Sequence, residues 1–294
     1  MPLRLLLAAV LSLALVPSAG AATAPLRVVA AESTYGSIAQ AVGGDLVQVD
    51  AIIRNPNADP HAFEASPRTA RSVATAHVVV FNGLGYDDWM RQMLQASPAQ
   101  GRQVIVAADL GGDLILPDRN PHLFYDTRVA RRVATRLAAV FEADDPAHRA
   151  EFAANLARFA HALDGVDADA AALARRHPGL HVAATEPVYG YMLRRLGWTS
   201  LGGAFQVNVM NGTEPSPAVV AHFEDDLRAR RAALLIYNRQ VSEPLTIRMR
   251  AVAHAAGLPE VGVDEFAPPG MDYPSWLHAG LTALGRAADA GHGR

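Results

Sequence analysis

The sequence predicts an α/β protein of two lobes, each built on a parallel sheet flanked by helices, the lobes joined by one long α-helix. Three observations lead there. Short β-branched runs alternate with helical segments in both halves, the pattern of parallel strands covered by crossover helices. Ser66-Pro67, Asp145-Pro146, Ser216-Pro217 and Glu243-Pro244 each place proline in a first helical turn, where its missing N–H is no loss. From Pro146 to about Arg176 there is no strand signal, while Phe152, Leu156, Phe159, Leu163 and Val166 recur at helical spacing. At about 1.5 Å per residue such a helix would run roughly 40 Å or more, enough to brace two lobes.

Taken in order, residues 1–21 carry Arg4, an apolar middle from Leu5 to Val16 and the small residues Ala19-Gly20-Ala21, the plan of a secretory signal peptide removed on export. The apolar part is shorter than the roughly 20 residues of a membrane span. Residues 22–143 form the expected N-terminal lobe, with strands at 27–30, 47–53, 77–81 and 104–106 and a helix whose buried face is Val129, Val133, Leu137, Val140 and Phe141. Residues 144–178 form the linking helix, stopped by His177-Pro178-Gly179. Residues 179–294 form the C-terminal lobe, with strands at 181–184, 233–237 and 260–263.

The chain contains no cysteine, so its stability must come from the core, and thiolate metal sites and cysteine acylation are excluded. The expectation is a freely diffusing, monomeric periplasmic protein. A net charge of -3 argues against a nucleic-acid partner, which a basic face would normally reveal. Arg128, Arg131, Arg132 and Arg136 do cluster, but opposite the apolar positions of one helix, as a solvated face would. The histidines other than His61 and His122 show no paired spacing and read as structural or surface residues, with His181, at the head of a strand, a candidate for burial.

Four short phrases carry chemistry. Ala58-Asp59-Pro60-His61 follows the strand at 47–53, and Asn120-Pro121-His122 precedes a helix capped by Asp126 or Thr127, with the imidazole expected to point away from the buried helix face. Thr185-Glu186-Pro187 ends a buried strand, where Glu186 could cap the next helix or bind a cation. Asp264-Glu265 follows the strand at 260–263; neighbours in an extended segment point opposite ways, so one carboxylate should face the cleft, Glu265 first and Asp264 in reserve. Each alone suits a structural role. Together they are two imidazoles from one lobe and two carboxylates from the other, all at the carboxyl edge of strands where ligands of open α/β sheets collect. Such donors suit zinc, manganese or ferrous iron; calcium and magnesium favour oxygen alone. Asp59 or Asp126 could orient an imidazole from behind. No residue is read as catalytic.

These phrases resemble those of the metal-binding substrate-binding proteins of bacterial ABC importers for zinc and manganese. Ala58 to Glu64 is similar to that family's Asp-Pro-His motif, Asn120 to Asp126 to its second Pro-His motif, Thr185 to Tyr191 to its third ligand segment and Val263 to Phe266 to its fourth. The resemblance implies His61, His122, Glu186 and an acid at 264 or 265 as ligands of Zn2+ or Mn2+ held as cargo, a membrane permease as partner, and small closure with local loop movement. Glu at the third position looks like the manganese-type arrangement. The fourth segment matches the usual Thr-Asp-Ser context loosely, and the His-rich acidic loop of many zinc members is missing. Neutral imidazoles are required, so affinity should fall as pH drops below roughly 6.5, the pKa of an unperturbed imidazole.

Two other readings stay open at this point. A two-lobed protein of this plan could carry haem, cobalamin or an iron chelate, with Tyr189, Tyr191, Trp198 and Trp276 lining the cleft or simply filling the core. A secreted metallohydrolase would leave one metal position open for water, but the chain offers neither a His-Glu-x-x-His helix nor a Gly-x-Ser-x-Gly elbow.

Overall fold

The computed structural model describes residues 24–55 and 63–292; the expected signal peptide, Asp59 and His61 lie outside the described residues. The first half runs β1 (Leu26–Glu32), α1 (Ser33–Gly43), β2 (Val47–Ile53), α2 (Pro67–Thr75), β3 (Val78–Phe81), α3 (Asp88–Ala96), β4 (Gln103–Val106), α4 (Ala107–Gly111) and α5 (Thr127–Asp144). Helix α6 (Arg149–Arg176) follows. The second half runs β5 (His181–Ala184), α7 (Gly190–Leu196), β6 (Thr199–Leu201), α8 (Gly203–Met210), α9 (Pro217–Arg228), β7 (Leu235–Asn238), α10 (Pro244–Ala255), β8 (Glu260–Val263) and α11 (Tyr273–His292). The strands pair in parallel as β2-β1-β3-β4 and β6-β5-β7-β8.

The two orders are the same, second-first-third-fourth, and each reverses direction between its two central strands. At such a switch point the loops leaving adjacent strands diverge, which opens a crevice at the carboxyl ends. In the first sheet it lies between β1 and β3, in the second between β5 and β7.

Residues 28–31 of β1 are all buried because helices cover both faces of the sheet. Alternate residues enter different layers. Val28 and Ala30 join a core with α1 and α5, whereas Val29 and Ala31 pack with Val73, Met90 and Phe81 on the other side. The first of these cores continues without a break through Phe152, Leu163 and Val166 of α6 into Tyr191, Leu277 and Leu281 of the second half. A third cluster, around Phe205, Phe223 and Met249, covers the far face of the second sheet. One apolar core shared by both halves leaves little freedom for rigid-body opening.

Several details depart from the sequence reading. Pro146–His148 form a separate 3-10 turn before α6, with Asp145 Oδ2 2.6 Å from His148 Nδ1. Strand β6 had no apolar run to announce it; it is a half-exposed edge of three residues. His181 is exposed, whereas His177, four residues before it, is buried, and its carbonyl accepts from Trp198 Nε1 at 2.7 Å. Of the arginines of α5, Arg128, Arg132 and Arg136 are exposed as a solvated face would be, and Arg131 is half-buried, pairing with Asp164 and Asp167 of α6; Arg132 pairs with Asp113. Tyr189, Tyr191, Trp198 and Trp276 are core residues, which removes the aromatic lining that a haem or cobalamin cleft would use. Among the described residues no helix is long and apolar enough to cross a membrane.

Candidate metal centre

His122 stands at the entrance of the 3-10 turn Leu123–Tyr125 and is 1% exposed. The cause of this burial is local. Asn82, just after β3, donates from Nδ2 to the Pro121 carbonyl at 2.7 Å and draws the segment inward. The ring then packs edge-on against Phe124 and Tyr86, with centroids 5.8 Å and 5.9 Å away.

Glu186 and Glu265 approach from the second half, after β5 and β8, and both are buried. Nε2 of His122 lies 3.8 Å from Oε2 of Glu265, too far for a hydrogen bond. Two donors each about 2.0–2.2 Å from one cation can stand up to roughly 4 Å apart, so this spacing suits a shared ion. Asn238, the last residue of β7, joins the two carboxylates: its Nδ2 donates to Glu186 Oε2 at 2.6 Å and to Glu265 Oε1 at 2.7 Å. Its own Oδ1 accepts from the Gln240 backbone N–H at 3.0 Å, which fixes the amide's orientation. Tyr86 donates its hydroxyl to Glu265 Oε2 at 2.7 Å. Burial and the Glu265 charge push that hydroxyl well above the ordinary tyrosine range, so it stays a donor. Glu186 begins the 3-10 turn Pro187–Tyr189 without a side-chain capping bond.

Asp264 faces the other way. Its carboxylate pairs with Arg239, and its carbonyl accepts from the Tyr125 hydroxyl at 2.5 Å. Asp126 is not behind the imidazole either; it caps α5 by accepting from the Arg128 backbone N–H and pairs with Arg128 and Arg194 at 2.7 Å and 3.0 Å. The group behind His122 is Asn120, whose Oδ1 lies 2.8 Å from Nδ1 and also accepts from the His122 backbone N–H at 2.9 Å. The signal was in the motif itself, since Asn120 is two residues away.

Two further acids lie beside this group. Glu32 ends β1 and Asp87 precedes α3, and each is essentially unexposed. Asp87 accepts from the backbone N–H groups of Asn82 and Gly83 at 2.5 Å and 2.7 Å. Burial, then the charges of Asp87 and Glu265, raise the Glu32 carboxyl well above the usual range; burial pushes Asp87 to about 6. Among the described residues no three His, Asp or Glu side chains already form a closed metal cage.

The family described as the periplasmic zinc-uptake complex component A, ZnuA, matches residues 28–287. The manganese ABC transporter substrate-binding lipoprotein PsaA of Streptococcus anginosus is 21% identical over 267 residues, covering 85% of this chain and 84% of PsaA. The periplasmic zinc-binding protein TroA of Treponema pallidum superposes with a TM-score of 0.75 at 15% identity, over 90% of this chain and 99% of TroA. The substrate-binding protein FpvC of Pseudomonas aeruginosa, solved with Ni2+, gives a TM-score of 0.73 at 23% identity, over 90% of this chain and 97% of FpvC.

Proposed function

We propose, because the chain belongs to the ZnuA family of periplasmic zinc-uptake components, that it captures a divalent transition metal ion, Zn2+ or Mn2+, between its halves in the periplasm and delivers it to an ABC permease. The ligands in this reading are His61, His122, Glu186 and Glu265, with the protein working as a monomer divided at 22–143, 144–178 and 179–294. The single observation that carries it is the buried imidazole of His122 facing the buried carboxylate of Glu265 across 3.8 Å, with Glu186 linked to the same carboxylate through Asn238. Buried carboxylates that converge repel one another, and a divalent ion offsets that repulsion.

Capture is then an exchange of hydration water for fixed donors. The Asn120 amide is oriented by its Nδ2, which donates to the Pro187 carbonyl at 2.6 Å, so Oδ1 must face His122. An oxygen there accepts, which places the ring proton on Nδ1 and leaves the Nε2 lone pair for the cation. Nothing in this exchange transforms the cargo. The names of relatives support a transition metal without choosing one, since PsaA is called a manganese protein and TroA a zinc protein.

Elemental analysis of protein purified without chelators, followed by competition between Zn2+ and Mn2+, tests the reading. One equivalent of metal, lost in His122→Ala and Glu265→Ala, is expected. A metal-free preparation that takes up neither ion would refute it.

A further inference from the structure

Glu32 has no part in the site as described above. It is 1% exposed, and among the described residues no backbone N–H, amide or hydroxyl donor of another residue reaches either of its buried oxygens; its one hydrogen-bonding partner among the side chains is the carboxyl group of Asp87, itself an acid. Buried polar atoms are normally satisfied by N–H or hydroxyl donors, and a buried acid whose sole partner is another acid is poorly tolerated once both are charged. Its neighbours differ from it in this respect. Both oxygens of Asp87 are engaged by backbone N–H groups, and Glu265 is held by Asn238 and Tyr86.

Topology places Glu32 where a cation ligand would stand. It closes β1 at the switch point of the first sheet. On one side it is in register with Ile53, the end of β2, from which the chain continues toward His61. On the other side β3 ends at Phe81, and the turn behind it supplies Tyr86, whose hydroxyl reaches Glu265. The Glu32 side chain is close enough to Glu265 and Asp87 to feel the charge of each.

We propose that Glu32 is a further oxygen ligand of the captured cation, and that it biases the cleft toward Mn2+ or Fe2+ over Zn2+. The proposal rests on the reading of the cleft as a cation site. Zinc in a closed protein site is satisfied by four ligands in a tetrahedron, whereas manganese favours carboxylate oxygen and accepts a larger shell. Two imidazoles with Glu186 and Glu265 complete a tetrahedron; adding Glu32 exceeds it.

The test is calorimetric titration of the full chain, stripped of metal, with Mn2+ and separately with Zn2+, in the unchanged protein, Glu32→Gln, Glu32→Asp and His122→Ala. Groups that merely orient a ligand change affinity by roughly 10–100-fold, so losing a direct oxygen ligand should weaken Mn2+ by about tenfold or more. Zn2+ should weaken by less than about threefold, a gap that loss of structure alone would not create, because it would lower both affinities together. Glu32→Asp keeps the charge but shortens the reach, and it should also lose the Mn2+ preference. The Mn2+ EPR spectrum should change between the unchanged protein and Glu32→Gln. Equal weakening of both metals, or no weakening in either Glu32 variant while His122→Ala abolishes binding, would overturn the role of Glu32 and leave the cation site standing. Failure of the unchanged protein to bind either ion would overturn both.

Discussion

Asn120 holds His122 from behind, with Oδ1 2.8 Å from Nδ1, and the same amide donates to the carbonyl of Pro187 at 2.6 Å. One side chain therefore links an imidazole of the first half to the residue that follows Glu186 in the second. Tyr191 reinforces the link by donating to the Asn120 carbonyl at 2.7 Å. Asn120→Ala should weaken metal affinity by roughly 10–100-fold, the usual effect of removing a partner that orients a ligand. A Cβ on Gly190 would lie 2.7 Å from Asn120 Nδ2, so Gly190→Ala should displace the amide and weaken affinity in the same direction. Titration of both variants checks this, and unchanged affinity in both would contradict the coupling.

Asn238 stands between Glu186 and Glu265, donating to each. Its removal takes away the amide donor that the two buried carboxylates share. Asn238→Ala should lower the stability of the metal-free protein by about 1–3 kcal/mol, the range for a buried polar group left unsatisfied. Bound metal replaces the lost donor, so the rise in Tm on adding metal should be larger in the variant than in the parent. Thermal melts with and without Zn2+ decide it; an equal or smaller rise would show that the amide does not stand in for a cation.

The buried acids set a pH dependence for the metal-free protein. Glu32 and Asp87 have folded pKa values raised above their unfolded ones, Asp87 to about 6, so the folded state favours their neutral forms. Their contribution to stability is present below the unfolded carboxylate values, about 4, and is lost as pH rises through the folded ones. Among the described residues the titratable groups that interact with Glu32 are Asp87, Glu265, Tyr86 and Tyr35, none of them a cation. Between pH 4 and 7 these acids should therefore lower Tm, and Glu32→Gln should flatten the decline. A Tm profile in Glu32→Gln that parallels the parent across this range would contradict the assignment.

Asp126 acts in the opposite sense. Although burial opposes its charge, Arg128 and Arg194 beside it hold its carboxyl below the usual carboxylate range, so its contribution is present at neutral pH and is lost as pH falls through the folded value. Asp126→Ala removes the cap of α5 and the tie from Arg194 of α7 to the first half. The two arginines keep access to water, so the loss should be about 1–2 kcal/mol, that of a helix cap with a part-exposed ion pair. Denaturant melts should show this loss at pH 7, and metal affinity should change far less than in Asn120→Ala. The reverse order would return Asp126 to the role of imidazole partner.

Much of this architecture was legible because its signals are local. Ser66-Pro67 appears as a full capping box at the start of α2, and Ser216-Pro217 opens α9, because caps and proline act within one turn. Strand β6 escaped because Thr199–Leu201 has neither length nor an apolar run. Around the cleft, the proline next to His122 and Glu186 and the strand end before Glu265 pointed to these residues, but not to the groups that hold them. Tyr86 and Glu265 meet across 179 residues of sequence, and no spacing rule reaches that far. Asn238 and Glu32 left a fainter mark, a polar residue closing a buried apolar strand, which is itself a reason to look at a strand's last position.

Capture of one ion between the halves is the claim on which the rest depends, and anomalous diffraction from crystals of the protein loaded with one equivalent of Zn2+ or Mn2+ addresses it without intermediaries. A single peak should appear within about 2.0–2.2 Å of His122 Nε2 and of carboxylate oxygens of Glu186 and Glu265, with His61 completing the set. A peak bound to surface histidines such as His161 or His222, with the Asn238 bridge between the two carboxylates intact and no density beside His122, would contradict it.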